Sequence, residues 1–446
     1  MSKYSELIER LDDHLARGDW RTVLLETTNT VIALVQDPQA KAVVYGSPEL
    51  DRLCLAAGKM IWEANPPPAD RVFDAGTSVF VATELYRIGG HTLALKDIMT
   101  AQPQLRHVIL MTNLHNRDLT PHLLFDGVEP RPEVRVAPDG DLFVKALWLH
   151  QQLLALNAGR LTLFNHHYDT AAIACAQPGA AASTAYFHHC DHDMALGVYL
   201  PHAKHVDCSS VMYEKCRHTL GVHQPVHWPL VAPDSGTRSP ERPFMADGTL
   251  TTASHGSVVK FTSAGRYDYF DVIARRLKEI GGVHLHIGSL PDQNVAAFAQ
   301  RLAAADIDPS RFRYVGPVPS LWNYLATQPI DVCISSFPIQ GFKGLVETMG
   351  AGLPILMQES TLTRIHSSPD MVYEDALKWR HPDDFMAALR SLDPASLAVH
   401  SRAARRHYER WHHPRELAHT LASAAQHLEP PPLRDFQQDT LALYWR

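Results

Sequence analysis

The stretch GFKGLVETMGAGLPILMQESTLTRI, from Gly341 to Ile365, sets a lysine between two glycines and a single acid four residues further on. Gly341 and Gly344 allow a backbone to come close to a ligand. A helix starting near Lys343 presents unpaired N–H groups and the positive end of its dipole, a combination suited to a diphosphate. Lys343 adds a point charge there. Glu347 lies one turn later on the same face, where its carboxylate can accept hydrogen bonds from a ribose diol. The plain alternative is a surface Lys–Glu pair at i,i+4, contributing only a few tenths of a kcal/mol. Ser360, Thr361, Thr363 and Arg364 then follow an apolar run, a second polar loop that filling a core does not require.

Histidine is the other concentration. Many of the 27 histidines fall between His166 and His227, and YFHHCDHDMALGVYLPHAKHVD is the densest run of ionisable residues. An imidazole titrates near neutral pH and suits a general base. His189 and His192 are the leading candidates, with Asp191 orienting or substituting, and His91 beyond the Gly89-Gly90 pair is the third. In FNHHYDTAA, His166, His167 and Asp169 follow another apolar run. They either line an acceptor side together with Gly90, or Asp169 simply caps the next helix. A metal reading competes, and Asp191-His192-Asp193 matches a DxD motif, a pattern expected by chance in a chain with 48 acids. Neighbouring side chains on a strand point to opposite faces, so few of these groups can share an ion, and no metal site is expected.

The elements that must position these residues follow from periodicity. Residues 4–64 read as three amphipathic helices ended by NPPPADR, a cap for the fold or a surface for homo-oligomerisation. From Ser78, short apolar runs (SVFVATELY, HVILMTN, RLTLFNHH, STAYFHH) alternate with helical stretches, which implies a parallel sheet covered on both faces. A Pro/Gly/Ser-rich stretch interrupts, and the alternation restarts at SVVKFTS and runs to LPILMQE. The expected organisation is a helical region 1–75, an α/β domain 76–230, a linker 231–256, a second α/β domain 257–425 and a helix within 426–446. Ligands in open α/β sheets bind at the carboxyl ends of the strands, where the residues singled out above lie.

Composition narrows the classes. A formal charge of -7 excludes a nucleic-acid binder that relies on a basic face. No run of 18 apolar residues occurs, so no membrane span is expected, and the charged start has no signal-peptide core. Six scattered cysteines without a CxxC pair read as reduced thiols of a cytoplasmic protein.

GLVETMGAGLPIL resembles the donor-binding segment of glycosyltransferases with the GT-B fold. The resemblance implies two Rossmann-like parallel-sheet α/β domains with a small helical N-terminal region, and a nucleotide sugar held mainly by the C-terminal domain. It assigns the ribose to Glu347. ESTLTRI is similar to the following loop in the O-GlcNAc transferase and bacterial adhesin N-glycosyltransferase group, which gives Ser360, Thr361 and Leu362 to the diphosphate. VATELYRIGGHTLALKDI resembles the first strand, glycine loop and helix of those enzymes. HHCDH with the later LG is similar to their NHADH…LG segment, aligning His189, Asp191 and His192, with His188 in place of asparagine. Arg266, in FTSAGRYDYF after the expected first strand of the second domain, either neutralises the leaving diphosphate with Lys343 or caps a loop at the surface. Many retaining GT-B enzymes carry a second acid eight residues before the ribose-binding one. Here that position is Ile339, which favours the inverting relatives.

The resemblance thus implies an inverting, metal-independent transfer of a hexose from a UDP-sugar, with no cofactor, to an acceptor protein or glycan. Three rivals stand beside it: a retaining GT-B transferase for polysaccharide or lipid-linked glycan, a UDP-sugar epimerase or hydrolase, and a non-catalytic nucleotide-sugar-binding module.

Overall fold

Ser2, Asp19 and Ser47 each precede a run of helical periodicity, and each side chain accepts a hydrogen bond from the first turn of the helix that follows. These helices are α1 (Lys3–Ala16), α2 (Trp20–Gln36) and α3 (Pro48–Ala64) in a computed structural model that describes residues 2–37, 39–86, 89–117, 124–262, 265–359, 363–423 and 429–436. Leu11, Val23, Leu24, Val31, Leu53 and Ile61 bury the inner faces. Gly58 of α3 lies so close to the Ala174 carbonyl that a Cβ there would fall 1.9 Å from it. The helical region therefore packs into the first α/β unit.

The chain divides into two compact units, Met1–Trp228 with Thr420–Glu429, and Pro229–His419 with Pro430–Arg446. Unit 1 continues through β1 (Asp74–Ala82), α4 (Gly90–Thr100), β2 (Arg106–Met111), β3 (Glu133–Val136), α5 (Leu142–Leu156), β4 (Ala158–Phe164), α6 (Thr170–Cys175), β5 (Ser183–Phe187), β6 (Ala203–Asp207), α7 (Ser210–His218) and β7 (Val226–His227). Its seven strands are parallel in the order β3-β2-β1-β4-β5-β6-β7.

Unit 2 runs through β8 (Thr251–His255), α8 (Val259–Thr262), α9 (Tyr269–Glu279), β9 (Val283–Ile287), α10 (Asp292–Ala304), β10 (Phe312–Gly316), α11 (Leu321–Thr327), β11 (Val332–Ile334), α12 (Phe342–Gly350), β12 (Ile355–Gln358), α13 (Arg364–Ser367), β13 (Leu377–Trp379), α14 (Pro382–Arg390), α15 (Pro394–Trp411) and the start of α16 (Pro414–Ala422). Its six strands are parallel in the order β10-β9-β8-β11-β12-β13. Phe261, Tyr269, Ile273, Phe298, Phe337, Trp379 and Phe385 belong to one buried cluster. Each large apolar side chain so buried contributes about 1.5–3 kcal/mol.

In both sheets the first strand lies centrally and the order reverses beside it, between β1 and β4 and between β8 and β11. Such switch points are where loops diverge above the carboxyl ends and leave room for a ligand.

Three expectations need correction. SVVKFTS is no strand; residues 259–262 form α8, and the strand that opens the second sheet, Thr251–His255, lies inside the stretch expected as a linker. TTASH escapes notice because it is small and polar. Its buried hydroxyls are satisfied internally, Thr252 by His284 Nδ1 at 2.8 Å and Ser254 by the Ile334 carbonyl at 2.9 Å. The described part of the expected C-terminal helix, 429–436, is irregular. No helix among the described residues is long and apolar enough to cross a membrane.

Candidate functional site

In unit 2, β8 leads through Gly256 into α8, whose Lys260 extends to the turn that begins α12. Lys260 Nζ donates to the Gln340 carbonyl at 3.0 Å, and its Cε lies 3.5 Å from where a Cβ on Gly341 would be. Gly341 is the N-cap of α12 and makes no side-chain capping bond, so it leaves the orphan N–H groups of that first turn without a capping side chain. Lys260 is half-buried, and burial lowers its pKa below the usual lysine value. Among the described residues it forms no ion pair. An ammonium with a carbonyl for a partner, beside an uncapped helix start, is a place that favours an anion.

Sequence reasoning missed Lys260, because with SVVKFTS read as a strand its lysine belonged to a buried ladder. Placing the strand one element earlier would have put Lys260 after it, on the loop side.

The other predicted donor residues fare differently. Glu347 is half-buried on α12, one turn past Lys343, as expected. Lys343 itself is buried, and its Nζ donates to the Val231 carbonyl, so its charge serves the interior of unit 2. Gly344 does not open the backbone to a ligand: a Cβ there would lie 2.3 Å from Cε1 of the buried His255, whose Nε2 is 3.1 Å from Thr348 Oγ1. Gly344→Ala should therefore destabilise the protein by about 1–3 kcal/mol through overpacking. Thermal unfolding without ligand measures this, and an unchanged Tm would return the glycine to a ligand-facing role.

Arg266 is exposed, with its guanidinium 5.5 Å from the Tyr267 ring centre, and follows α8 rather than the first strand. Ser360, Thr361 and Leu362 lie outside the described residues. Just beyond them, Thr363 caps α13, and Arg364 makes a two-pronged pair with the buried Asp370 at 2.6 and 2.8 Å.

In unit 1 the loops after three neighbouring strands bring three imidazoles together: His91 beyond β1, His166 beyond β4 and His189 beyond β5. The His91 and His189 rings stack at 5.5 Å, and His166 stands edge-on to them at 5.6 and 6.2 Å. Tyr86 stacks on His166 at 6.1 Å and gives its hydroxyl to Glu84 at 2.5 Å. Burial is the main cause that lowers all three histidines, His166 to about 4 and His189 well below its usual value. The trio is neutral at working pH.

His91 has its tautomer fixed. Nε2 lies 3.2 Å from the Glu84 carbonyl, which can only accept, so Nε2 carries the proton and Nδ1 the lone pair. The ring sits in the first turn of α4, where the positive helix end also disfavours protonation. Gly90 begins that helix, and the N-cap Gly89 makes no side-chain bond.

His192 and Asp191 stand apart from the trio's contacts. The His192 ring meets His167 edge-on at 5.4 Å and lies 3.8 Å from Asp191 and 3.6 Å from Asp193. Asp191 is buried and accepts from Ser209 Oγ at 3.4 Å, so it does not orient His189. His167 Nδ1 donates to the Met194 carbonyl at 2.8 Å, and burial lowers its pKa to about 3. Asp169 is no acceptor-side group: fully buried, it caps α6 through Ala172 N–H and accepts the Thr83 and Thr112 hydroxyls at 2.6 Å each. It ties the ends of β1 and β2 to α6.

No protein-family model matches the chain, and no curated protein matches it. Solved structures do. The Anabaena protein Alr3699/HepE in complex with UDP and glucose is 12% identical, with a TM-score of 0.59, covering 78% of this chain and 98% of that one. A mutant of the Thermobaculum terrenum O-GlcNAc transferase is 13% identical, with a TM-score of 0.51, covering 91% and 78%. WaaG, a glycosyltransferase involved in lipopolysaccharide biosynthesis, is 12% identical, with a TM-score of 0.51, covering 78% and 100%. The chain shares their fold, the two-sheet GT-B architecture.

Proposed function

We propose that this chain is a glycosyltransferase that moves a hexose from a UDP-sugar to an acceptor with inversion at the anomeric carbon. The observation that carries the reading is Lys260, an ammonium without an ion pair among the described residues, held at the uncapped start of α12 beside the switch point of its sheet. A protein of like fold was solved with UDP and with UDP-glucose.

In this reading the donor diphosphate sits at the start of α12. Lys260 and the helix end neutralise the charge that grows on departing UDP, and Glu347 accepts hydrogen bonds from the ribose. The acceptor heteroatom bonds to the anomeric carbon as the carbon–oxygen bond to the diphosphate breaks, and the acceptor proton passes to His91 Nδ1. Attack opposite the leaving group inverts the centre. Lys260 supplies the positive charge that a divalent ion would otherwise bring, so the transfer is taken as metal-independent. The acceptor is taken as a protein side chain, following the likeness of residues 341–365 to the O-GlcNAc and adhesin transferases. The six buried free cysteines fit a cytoplasmic setting.

Thermal unfolding with UDP and a panel of UDP-hexoses tests the reading. At about a hundred times its Kd, a ligand selective for the folded state should add about 2.7 kcal/mol. UDP or one UDP-hexose should do so with the native chain, and Glu347→Ala should weaken the effect. No shift with any nucleotide overturns the donor-site assignment.

A further inference from the structure

Four side chains that the transfer reading leaves unused meet in unit 1: His188, His205, Asp207 and Cys216. All are buried, with exposures of 0%, 3%, 0% and 0%. They come from three elements. His188 directly follows β5, His205 and Asp207 alternate on β6, and Cys216 reaches them from α7. β5 and β6 are parallel neighbours with Tyr186 opposite His205, so residues 188, 205 and 207 fall on one face. The rule that adjacent side chains on one strand diverge is met here by drawing ligands from two strands and a helix.

The spacing is that of a coordination shell. Asp207 Oδ1 lies 3.0 Å from His188 Nδ1, 3.2 Å from His205 Nε2 and 3.5 Å from Cys216 Sγ, and Sγ lies 3.6 Å from His188 Nδ1. All four atoms fall within 4.8 Å of one another. A tetrahedral zinc ion with bonds of about 2.0–2.3 Å separates its ligands by about 3.3–3.8 Å.

Hydrogen bonding between neutral imidazoles and the carboxylate does not account for the arrangement by itself. His205 Nδ1 is 3.2 Å from the Val198 carbonyl, so that nitrogen carries the proton of the neutral ring. While the ring is neutral, its bare Nε2 lone pair faces a carboxylate oxygen at 3.2 Å, a repulsion that a cation between them removes. A backbone carbonyl that holds Nδ1–H and turns Nε2 outward is the usual support of a metal-binding histidine.

We propose that His188 Nδ1, His205 Nε2, Asp207 Oδ1 and Cys216 Sγ bind one zinc ion. On binding, the Cys216 thiol gives its proton to solvent. One thiolate and one carboxylate then balance the divalent ion, so the buried site is neutral. Four protein ligands close the shell, so the ion is structural and takes no part in transfer. It clamps β5, β6 and α7 together and fixes the start of the loop whose next residue is His189.

The full chain, expressed with zinc and purified without chelator, should contain about one zinc per chain by elemental analysis. Replacing zinc with cobalt should produce a thiolate-to-cobalt charge-transfer absorption. Cys216→Ser should abolish that band and Cys175→Ser should keep it. A strong chelator should lower the Tm. If Cys216→Ser does not fold, the native cobalt spectrum decides. A zinc-free chain whose Tm ignores chelator, or a cobalt-loaded chain without the band, overturns the site and leaves the four groups a buried hydrogen-bonded cluster.

Discussion

Lys260→Met abolishes the stabilisation by UDP and lowers kcat/KM for transfer by about 10²–10³, the range measured when one group that stabilises developing charge is removed. Methionine keeps the length and apolar stem of lysine, so little packing is lost. The ligand-free protein separates this role from a structural one. An ammonium half-buried against the Gln340 carbonyl is held at a desolvation cost, which its lowered pKa expresses. Removing it should leave the ligand-free Tm unchanged or raised. Lys343→Met should behave in the opposite way. Its buried Nζ serves the Val231 carbonyl, so the ligand-free Tm falls while the UDP-induced rise persists. Differential scanning of both variants with and without UDP reads all four quantities. A ligand-free Tm that falls for Lys260→Met with the UDP shift intact would make Lys260 a structural residue.

The pairing of these two lysines shows what was legible before folding and what was not. A glycine-flanked lysine ahead of a helix reads as a phosphate contact from local chemistry alone. Nothing local reveals that Lys343 turns back to Val231, or that Gly344 makes room for His255. Both partners are remote in sequence, and glycine's permissiveness looks alike in either use. Helices α1 to α3 were readable because caps and apolar spacing agree within a few residues. β8 was not, because its hydroxyls are satisfied by neighbouring strands, and the error displaced Lys260 from a loop into a strand. The histidines behaved likewise. Their abundance was plain, but only the order β1-β4-β5 brings His91, His166 and His189 together, while His192 goes to His167 and Asp193. Asp169 offered a cap and an acceptor contact from sequence, and full burial with three partners decides for the cap.

His91→Gln lowers kcat by about 10²–10⁴, the usual contribution of a positioned general base, and leaves the UDP-induced rise in Tm unchanged. The pH profile carries the distinguishing sign. The base acts in its neutral form, so activity falls on the acid side as Nδ1 takes a proton. Burial lowers the His91 pKa from its ordinary 6.5, and the neutral form persists further into acid. The acid limb of kcat/KM should thus lie below that ordinary value, and the residual activity of His91→Gln should lack that limb. Glutamine can still donate to the Glu84 carbonyl, so the Gly89–Gly90 turn keeps its anchor and a folding defect is not expected. His166→Phe gives the contrast. Burial lowers His166 to about 4, and its ring packs against Tyr86 and His91. Its loss should disturb the stacking and the Tm more than the pH profile. If His91→Gln keeps the limb and loses less than about tenfold in kcat, the base is not His91.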